Sequence, residues 1–281
     1  MIMTVWQADF YRRPLRDAAG NALWELVVCD PSGTFTAFAM CPQPDANSIW
    51  LAEQLKRIGG DRSPLPNQIQ IFRPQIVSLV EAACQPLGIE VQATRHTPAL
   101  KRLLQDRTAY YRTLENYTHQ SYEPIKLEQP PPLPLPENLW GEQWRFAAIA
   151  ASDLVPVFAN RPIPIREMPE DMLPVNLNLP STTPIPGVVI DGGRQSMRLA
   201  RWLQQANPVC LNYIPGDPDG LILEAGLVDR WVVATFTDAD VIAAAKTFRD
   251  RQQVSQGLHF LLVQPDDSGM TYSGFWLLQT P

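Results

Sequence analysis

The densest group of basic side chains in the sequence lies in segment 95–112, and its chemistry suits the binding of nucleic-acid phosphates. Leucines recur along it at helical spacing, which predicts a helix from about Pro98 to Leu114 with the basic side chains facing outward. Thr97 is placed to cap this helix, whose free N–H groups would form an anion site beside two of the basic residues. An ordinary solvated helix face is the alternative interpretation. The predicted RNA-binding residues of this segment are Arg95, His96, Lys101, Arg102, Arg107 and, for stacking on a base, Tyr110.

Three further arginines follow the segment VVIDGG, which is typical of a strand that turns into a helix. Arg194, Arg198 and Arg201 are spaced by four and three residues, so they share one helix face, where they either extend an RNA surface or are simply solvated. The preceding Asp191-Gly192-Gly193 completes no nucleotide-binding motif. We therefore interpret its glycines as a tight turn.

A ribonuclease H-type nuclease needs carboxylates at three places of a sheet and its first helix, where they hold two metal ions. Asp9 in the first predicted strand and Glu53 in the first predicted helix lie at two of these places. The third place, in the strand IQIFRP, carries Arg73, and a guanidinium group repels a metal ion and attracts a phosphate. Arg73 therefore joins the predicted RNA-binding residues. A metal-dependent nuclease, or a degenerate relative of one, remains an alternative.

Other patterns of catalysis and metal binding are missing from the sequence. The four cysteines stand in apolar surroundings without a C-x-x-C pair, which predicts buried free thiols. The three histidines lie far apart, the segment GDPDG lacks the further ligands of an EF-hand, and no G-x-S-x-G motif is present. We expect no catalytic residue, no metal site and no cofactor.

The first 122 residues contain elements that predict a mixed sheet. The runs TVWQADFYR, ALWELVVCD and TFTAFAMCP are rich in aromatic and β-branched residues and have short connections, so they predict three antiparallel strands. The strands NQIQIFRP and IEVQAT then alternate with helices predicted over about 48–58, 75–87 and 98–114. The resulting order, βββαβαβα, is that of ribonuclease H-like domains, in which helices cover the faces of a mixed sheet.

Proline divides the chain into two predicted domains. Fourteen of the 28 prolines fall between Pro124 and Pro186, and the segment EQPPPLPLPENLW is typical of a stiff, extended spacer. Residues 154–186 are predicted to form loops and irregular edges. We predict a mixed α+β protein with an N-terminal mixed-sheet domain over 1–122, a linker over 123–138 and a C-terminal α/β domain over 139–281.

Composition and charge limit the classes to which the protein can belong. Of its 281 residues, 45% are hydrophobic and 19% are charged, which is typical of a globular protein. Residues 1–122 carry 12 basic and 11 acidic side chains, whereas 123–281 carry 11 and 18. The net charge of −6 excludes coating of nucleic acid by bulk charge and requires a local basic patch. We find no stretch that could span a bilayer and no secretory signal, so we expect a cytoplasmic protein.

Several segments together resemble one family. The opening W-x-x-D-F-x-x-R-P-L-x-D-x-x-G-x-x-x-W-E-L-x-V-C-D, from Trp6 to Asp30, is similar to the start of the Tab-two-like proteins of cyanobacteria and chloroplasts. The segments I-x-x-F-R-P-Q, R-H-T-P-A-L and the closing G-F-W-L-L extend the resemblance over the whole chain. It implies an RNA-binding factor that activates translation of photosystem reaction-centre mRNAs through the 5′ leader and so supports photosystem biogenesis. Because no transit sequence precedes Trp6, we expect a cyanobacterial member.

These observations lead to one main hypothesis and two alternatives. We expect a non-enzymatic protein that binds a single-stranded or structured mRNA leader, with translation or photosystem assembly proteins as further partners. The first alternative is the nuclease based on Asp9 and Glu53. The second is a photosystem assembly factor that binds protein rather than RNA, for which the acidic second half and its proline-rich loops are the cues.

Overall fold

A computed structural model describes residues 3–62 and 65–280. The chain divides into two compact units, Met1–Glu128 and Gln129–Pro281. Both units combine helices with sheets, which confirms the predicted mixed α+β class with two domains. The border between the units falls inside the predicted linker, 123–138, whose bounds stay a prediction.

The first unit is built on one five-stranded sheet with three α-helices in its described part. Its strands are Val5–Arg16 (β1), Ala22–Cys29 (β2), Thr36–Pro42 (β3), Gln68–Ile71 (β4) and Glu90–Ala93 (β5). Its helices are Ser48–Arg62 (α1), Val77–Cys84 (α2) and Pro98–Tyr111 (α3). The strands lie in the order β3-β2-β1-β4-β5. The first three pair antiparallel, and β4 and β5 continue the sheet in parallel with β1.

The sheet of the first unit buries side chains on both faces, because successive residues of a strand point to opposite sides. On one face, Trp6 and Phe10 of β1 pack in the core that α1 and α2 complete. On the other face, Val27 of β2 packs against Leu100 and Leu104 of α3. This alternation decides which polar side chains of the strands can meet each helix.

The second unit contains two sheets. One has the strand order β7-β9-β13-β14-β8 and the other β10-β11-β12-β6. The strands are Leu133–Pro134 (β6), Gln143–Ala150 (β7), Ile165–Glu167 (β8), Pro184–Asp191 (β9), Pro208–Ile214 (β10), Asp219–Ala225 (β11), Asp229–Phe236 (β12), Leu258–Gln264 (β13) and Gly274–Gln279 (β14). The helices are Ala151–Phe158 (α4), Ser196–Ala206 (α5) and Ala239–Val254 (α6). Leu199 and Leu203 of α5 lie in the core that both sheets share, so the opposite face of α5 is turned outward.

The proline-rich region is more regular than the sequence suggests. Residues 154–186 were expected to be irregular, but they include most of α4, with Pro156 inside it, and β8. Burial of Leu154 and Phe158 stabilises α4 despite the backbone hydrogen bond that proline removes. Part of the predicted spacer likewise forms β6, in which Leu133 pairs with Trp231 of β12.

The cysteines lie in the interior of the protein. All four cysteines are buried and form no disulfide, as predicted, and burial raises the pKa of Cys29 and Cys84 to about 12. Thiols with such a pKa are poor nucleophiles and poor metal ligands at neutral pH.

In the part of the chain that the structure describes, no helix has the length and apolar character needed to cross a membrane.

Candidate nucleic-acid interface

Strands β1 and β2, the end of β4 and helix α3 bring two carboxylates and three arginines together on one face of the first sheet. Arg13 donates from Nη1 to Oδ2 of Asp9 (3.0 Å) and from Nε to Oε2 of Glu25 (3.3 Å). Arg73 donates from Nε to Oδ1 of Asp9 (2.9 Å). Arg107 of α3 donates to both carboxylate oxygens of Glu25. We name these five residues the arginine–carboxylate cluster.

The arginine–carboxylate cluster is buried and carries one more positive than negative charge. The side chains of Asp9, Glu25 and Arg13 are fully inaccessible to solvent. Tyr111 donates a hydrogen bond to Glu25, and Tyr122 accepts one from Arg13 (3.1 Å). Burial by itself lowers the pKa of Arg13, but the attraction of Asp9, the two tyrosines and Glu25 outweighs it and raises that pKa. The guanidinium group therefore stays charged inside the unit.

This arrangement does not form the metal site that the nuclease alternative needs. Both oxygens of Asp9 are taken by Arg13 and Arg73. Glu53 is exposed on α1, and α1 packs on the face of the sheet opposite to the one on which Asp9 meets Arg13. Over residues 3–62 and 65–280, no group of three or more His, Cys, Asp or Glu side chains could hold a metal ion. Asp9 therefore belongs to a network of ion pairs and is not available to a metal ion.

The structure corrects the prediction that the basic side chains of segment 95–112 all face outward. Arg95 is buried, and Arg107 is half-buried, with its guanidinium carbon 3.8 Å from the centre of the Phe38 ring. Arg107 lies inward because it is three residues after Leu104 and four before Tyr111, on the buried stripe of α3. That spacing was the signal that sequence reasoning missed. The exposed members of the predicted set are His96, Arg102 and Tyr110, and Lys101 is half-buried.

The start of α3 also differs from the predicted anion site. Thr97 stands at the cap position, but its buried hydroxyl has no hydrogen-bond partner among the described residues, so the predicted cap is wrong. Gln7 of β1 takes this role, because its Oε1 accepts a hydrogen bond from the N–H of Leu100 (3.1 Å). A side chain from the sheet therefore fills part of the place that a phosphate would occupy.

On α5 and the turn before it, the predicted arginines are available to a ligand. Arg194, Arg198 and Arg201 are all exposed, while the opposite face of the helix is buried. The turn itself is not a phosphate cradle, since the N–H groups of Gly192 and Gly193 donate to the carbonyls of residues 264 and 265 (2.8 and 2.9 Å). This agrees with the tight turn expected there. We name Arg198 and Arg201 of α5, together with Arg194 in the turn before it, the α5 arginine stripe.

Comparison with known families gives two matches that together cover most of the chain. The family described as "RNA-binding protein Tab2/Atab2 N terminal" matches residues 5–107. The one described as "RNA-binding protein Tab2/Atab2, C-terminal domain" matches residues 122–279. The chain belongs to the Tab2-like family. Its resemblance to this RNA-binding family therefore holds over both units.

Two plant members of the Tab2-like family are similar to nearly the whole chain. The protein TAB2 homolog, chloroplastic, of Arabidopsis thaliana is 32% identical, over 97% of this chain and 74% of the relative. The protein of the same name from Zea mays is 28% identical, over 97% of this chain and 70% of the relative.

Two solved structures of viral integration proteins are weakly similar to part of the chain. The catalytic core domain of BIV integrase overlays with a TM-score of 0.28 and 16% identity, over 38% of this chain and 70% of that chain. The intasome of simian T-cell lymphotropic virus gives a TM-score of 0.31 and 13% identity, over 50% of this chain and 61% of that chain. Overlays of this quality support no inference about fold or activity.

Proposed function

We propose that this protein binds the leader of a photosystem reaction-centre mRNA and activates its translation. The observation that carries the proposal is membership of the Tab2-like RNA-binding family over both units of the chain. Translation activation follows from the family resemblance of the opening, central and closing segments. We place this activity in the cytoplasm of a cyanobacterial cell.

The α5 arginine stripe supports contact with RNA phosphates. Guanidinium groups donate paired hydrogen bonds to phosphate oxygens. Those of Arg198 and Arg201 are exposed on a helix whose other face is fixed in the core, and that of Arg194 is exposed in the turn before this helix. A protein with a net charge of −6 needs a local basic surface of this kind to bind RNA. On the first unit, Arg102 and the half-exposed ring of Tyr110 offer a second phosphate contact and a stacking platform.

RNA binding is tested with the purified full chain, the leader RNA of a photosystem I core subunit and an unrelated RNA of equal length, across a salt titration. We expect tighter binding to the leader and an affinity that falls steeply with salt, because phosphate contacts release counterions. Equal binding to both RNAs would contradict recognition of the leader. Absence of binding to either RNA at low salt would contradict the proposal and favour a protein partner.

The translation step needs a separate measurement. A reporter message carrying the leader, translated in a cyanobacterial extract depleted of this protein, should yield more product when the protein is added back. A reporter with an unrelated leader serves as the control and should not respond. An equal response of both reporters would exclude activation through the leader.

A further inference from the structure

A cleft of about 690 Å³ opens in the first unit beside the arginine–carboxylate cluster. It lies between β1, the residues after β4 and the segment 118–128. We name it the β1 cleft. Its basic lining residues are Arg12, Arg13, Arg16, Arg73 and Lys126.

Positive charge is concentrated in the β1 cleft. Five basic side chains line it against two acidic ones, Glu123 and Glu128. Lys126 pairs with Glu123 at the exposed rim, where Nζ and Oε2 are 2.6 Å apart. Even when the buried Asp9 is counted, basic groups exceed acidic groups by two, in a chain whose net charge is −6. The electrostatic potential in the cleft therefore favours an anionic ligand.

The floor of the cleft holds a rigid guanidinium group. Arg73 is buried, and its Nε and Nη2 donate to Asp9 (2.9 Å) and to the carbonyl of Pro124 (2.8 Å). Its guanidinium carbon lies 4.1 Å from the centre of the Tyr11 ring. Among the described residues, none accepts a hydrogen bond from Nη1. This nitrogen is a fixed donor that a ligand in the cleft can use without reordering the side chain.

The rim carries two exposed arginines from the same strand. Regular alternation would send neighbouring side chains of β1 to opposite faces. The pairing of β1 with β2 shifts register between Arg12 and Arg16, in the stretch that contains Pro14. An irregularity of this kind changes the direction in which the side chains of the strand point. Arg12 and Arg16 both line the cleft together with the buried Arg13. The partners of Arg12 and Arg16 on β2 are only two residues apart, so the two rim arginines are separated by roughly 7 Å along the strand and can contact neighbouring phosphates.

We propose that the β1 cleft binds the sugar–phosphate backbone of single-stranded RNA. Arg12 and Arg16 contact successive phosphates at the rim, and Nη1 of Arg73 donates to a phosphate oxygen at the floor. The inference rests on the proposed RNA-binding function and adds a site formed by residues other than those of α3 and α5. It also gives the arginine–carboxylate cluster a role in binding, because Asp9 orients Arg73 toward the ligand.

The test compares two double variants that remove the same charge from the same unit. Arg12→Ala with Arg16→Ala removes the rim of the cleft, and Lys56→Ala with Arg57→Ala removes two exposed basic residues of α1 that do not line it. Binding of the full-length proteins to a 12-nucleotide oligouridine and to the leader RNA is measured by fluorescence anisotropy across a salt titration. All four substituted side chains are exposed, so thermal unfolding should stay near that of the wild type.

We expect the cleft variant to lose at least about tenfold in affinity for both RNAs and the control variant to change by less than about twofold. The slope of log affinity against log salt should fall by about 1.4 in the cleft variant, which is roughly 0.7 for each phosphate contact on single-stranded RNA. If wild type binds RNA and both variants weaken equally or not at all, the cleft proposal is overturned while the RNA-binding function stands. Failure of the wild type to bind either RNA overturns both.

Discussion

In the first unit, Arg13 is buried and Arg107 is half-buried, and each is paired with the buried Glu25. In the second unit, Arg198 and Arg201 are exposed on α5. The same side chain is fixed by desolvated ion pairs in one region and open to solvent in the other. A buried arginine whose partner is removed becomes an uncompensated charge, while an exposed arginine remains hydrated. Burial therefore decides whether an arginine stabilises the fold or is available to a ligand.

The two units also differ in how they bury titratable groups. The first unit buries charged groups in pairs. The second buries His259 in its neutral form, with Nε2 accepting from the N–H of Leu211 (2.8 Å) and Nδ1 donating to the carbonyl of Gly257 (2.8 Å). Burial lowers the pKa of His259 to about 4. The first unit therefore buries a network of ion pairs, whereas the second buries a neutral imidazole.

The largest effect is expected at Glu25. The variant Glu25→Ala leaves Arg13 and Arg107 buried without this partner, so the free energy of unfolding should fall by about 3–5 kcal/mol. Urea unfolding followed by circular dichroism measures this loss. Glu115→Ala is the control, because Glu115 is exposed, and it should change stability by less than about 0.5 kcal/mol. Similar values for the two variants would remove the distinction between buried and exposed charges.

A pH titration tests the second unit. The pKa of His259 is lowered from 6.5 to about 4 on folding, so the unfolded chain takes up the proton first as pH falls. Stability from this residue is complete above about pH 6.5, and roughly 3 kcal/mol is lost as pH falls to 4. Thermal unfolding of wild type and His259→Gln between pH 7.5 and 4 measures it. The variant should be less stable at pH 7 but decline less with acid, and parallel curves would contradict the assignment.

The smallest effect on stability is expected on the α5 arginine stripe. Arg198→Ala with Arg201→Ala should change the free energy of unfolding by less than about 0.5 kcal/mol, because both side chains are exposed. The same variant should bind leader RNA more weakly and with a smaller salt dependence. Lys246→Ala with Arg249→Ala, on the exposed surface of α6, removes the same charge and is the matched control in the second unit. Lost stability with unchanged RNA affinity would reverse the roles that we assign to buried and exposed arginines.

The sequence predicts most of the elements because their signals are local. Asn47, for example, caps α1 through hydrogen bonds from the N–H groups of Ile49 and Trp50 (both 3.0 Å), which are only two and three residues away. The helical face of Arg198 and Arg201 followed from spacing alone. Strand β11 was not predicted, although it begins inside the segment GDPDG that was considered as an EF-hand loop.

The arginine–carboxylate cluster could not be predicted in the same way, because its members lie far apart in the chain. Asp9 and Arg73 are 64 residues apart, and Glu25 and Arg107 are 82 apart. Asp9 was recognised as a candidate, but as a metal ligand, since the sequence does not show that two arginines occupy its oxygens. Only the position of Arg107 on the buried stripe of α3 could have indicated that one of these arginines faces inward.

Photo-crosslinking tests the central claim, that exposed arginine surfaces meet RNA, most directly. Leader RNA containing 4-thiouridine is crosslinked to the full-length wild-type protein, and the modified peptides are identified by mass spectrometry. We expect crosslinks in the peptides around Arg12 to Arg16 and around Arg194 to Arg201, and we expect unlabelled leader to compete them away. Crosslinks confined to other surfaces, or equal labelling by an unrelated RNA, would contradict it.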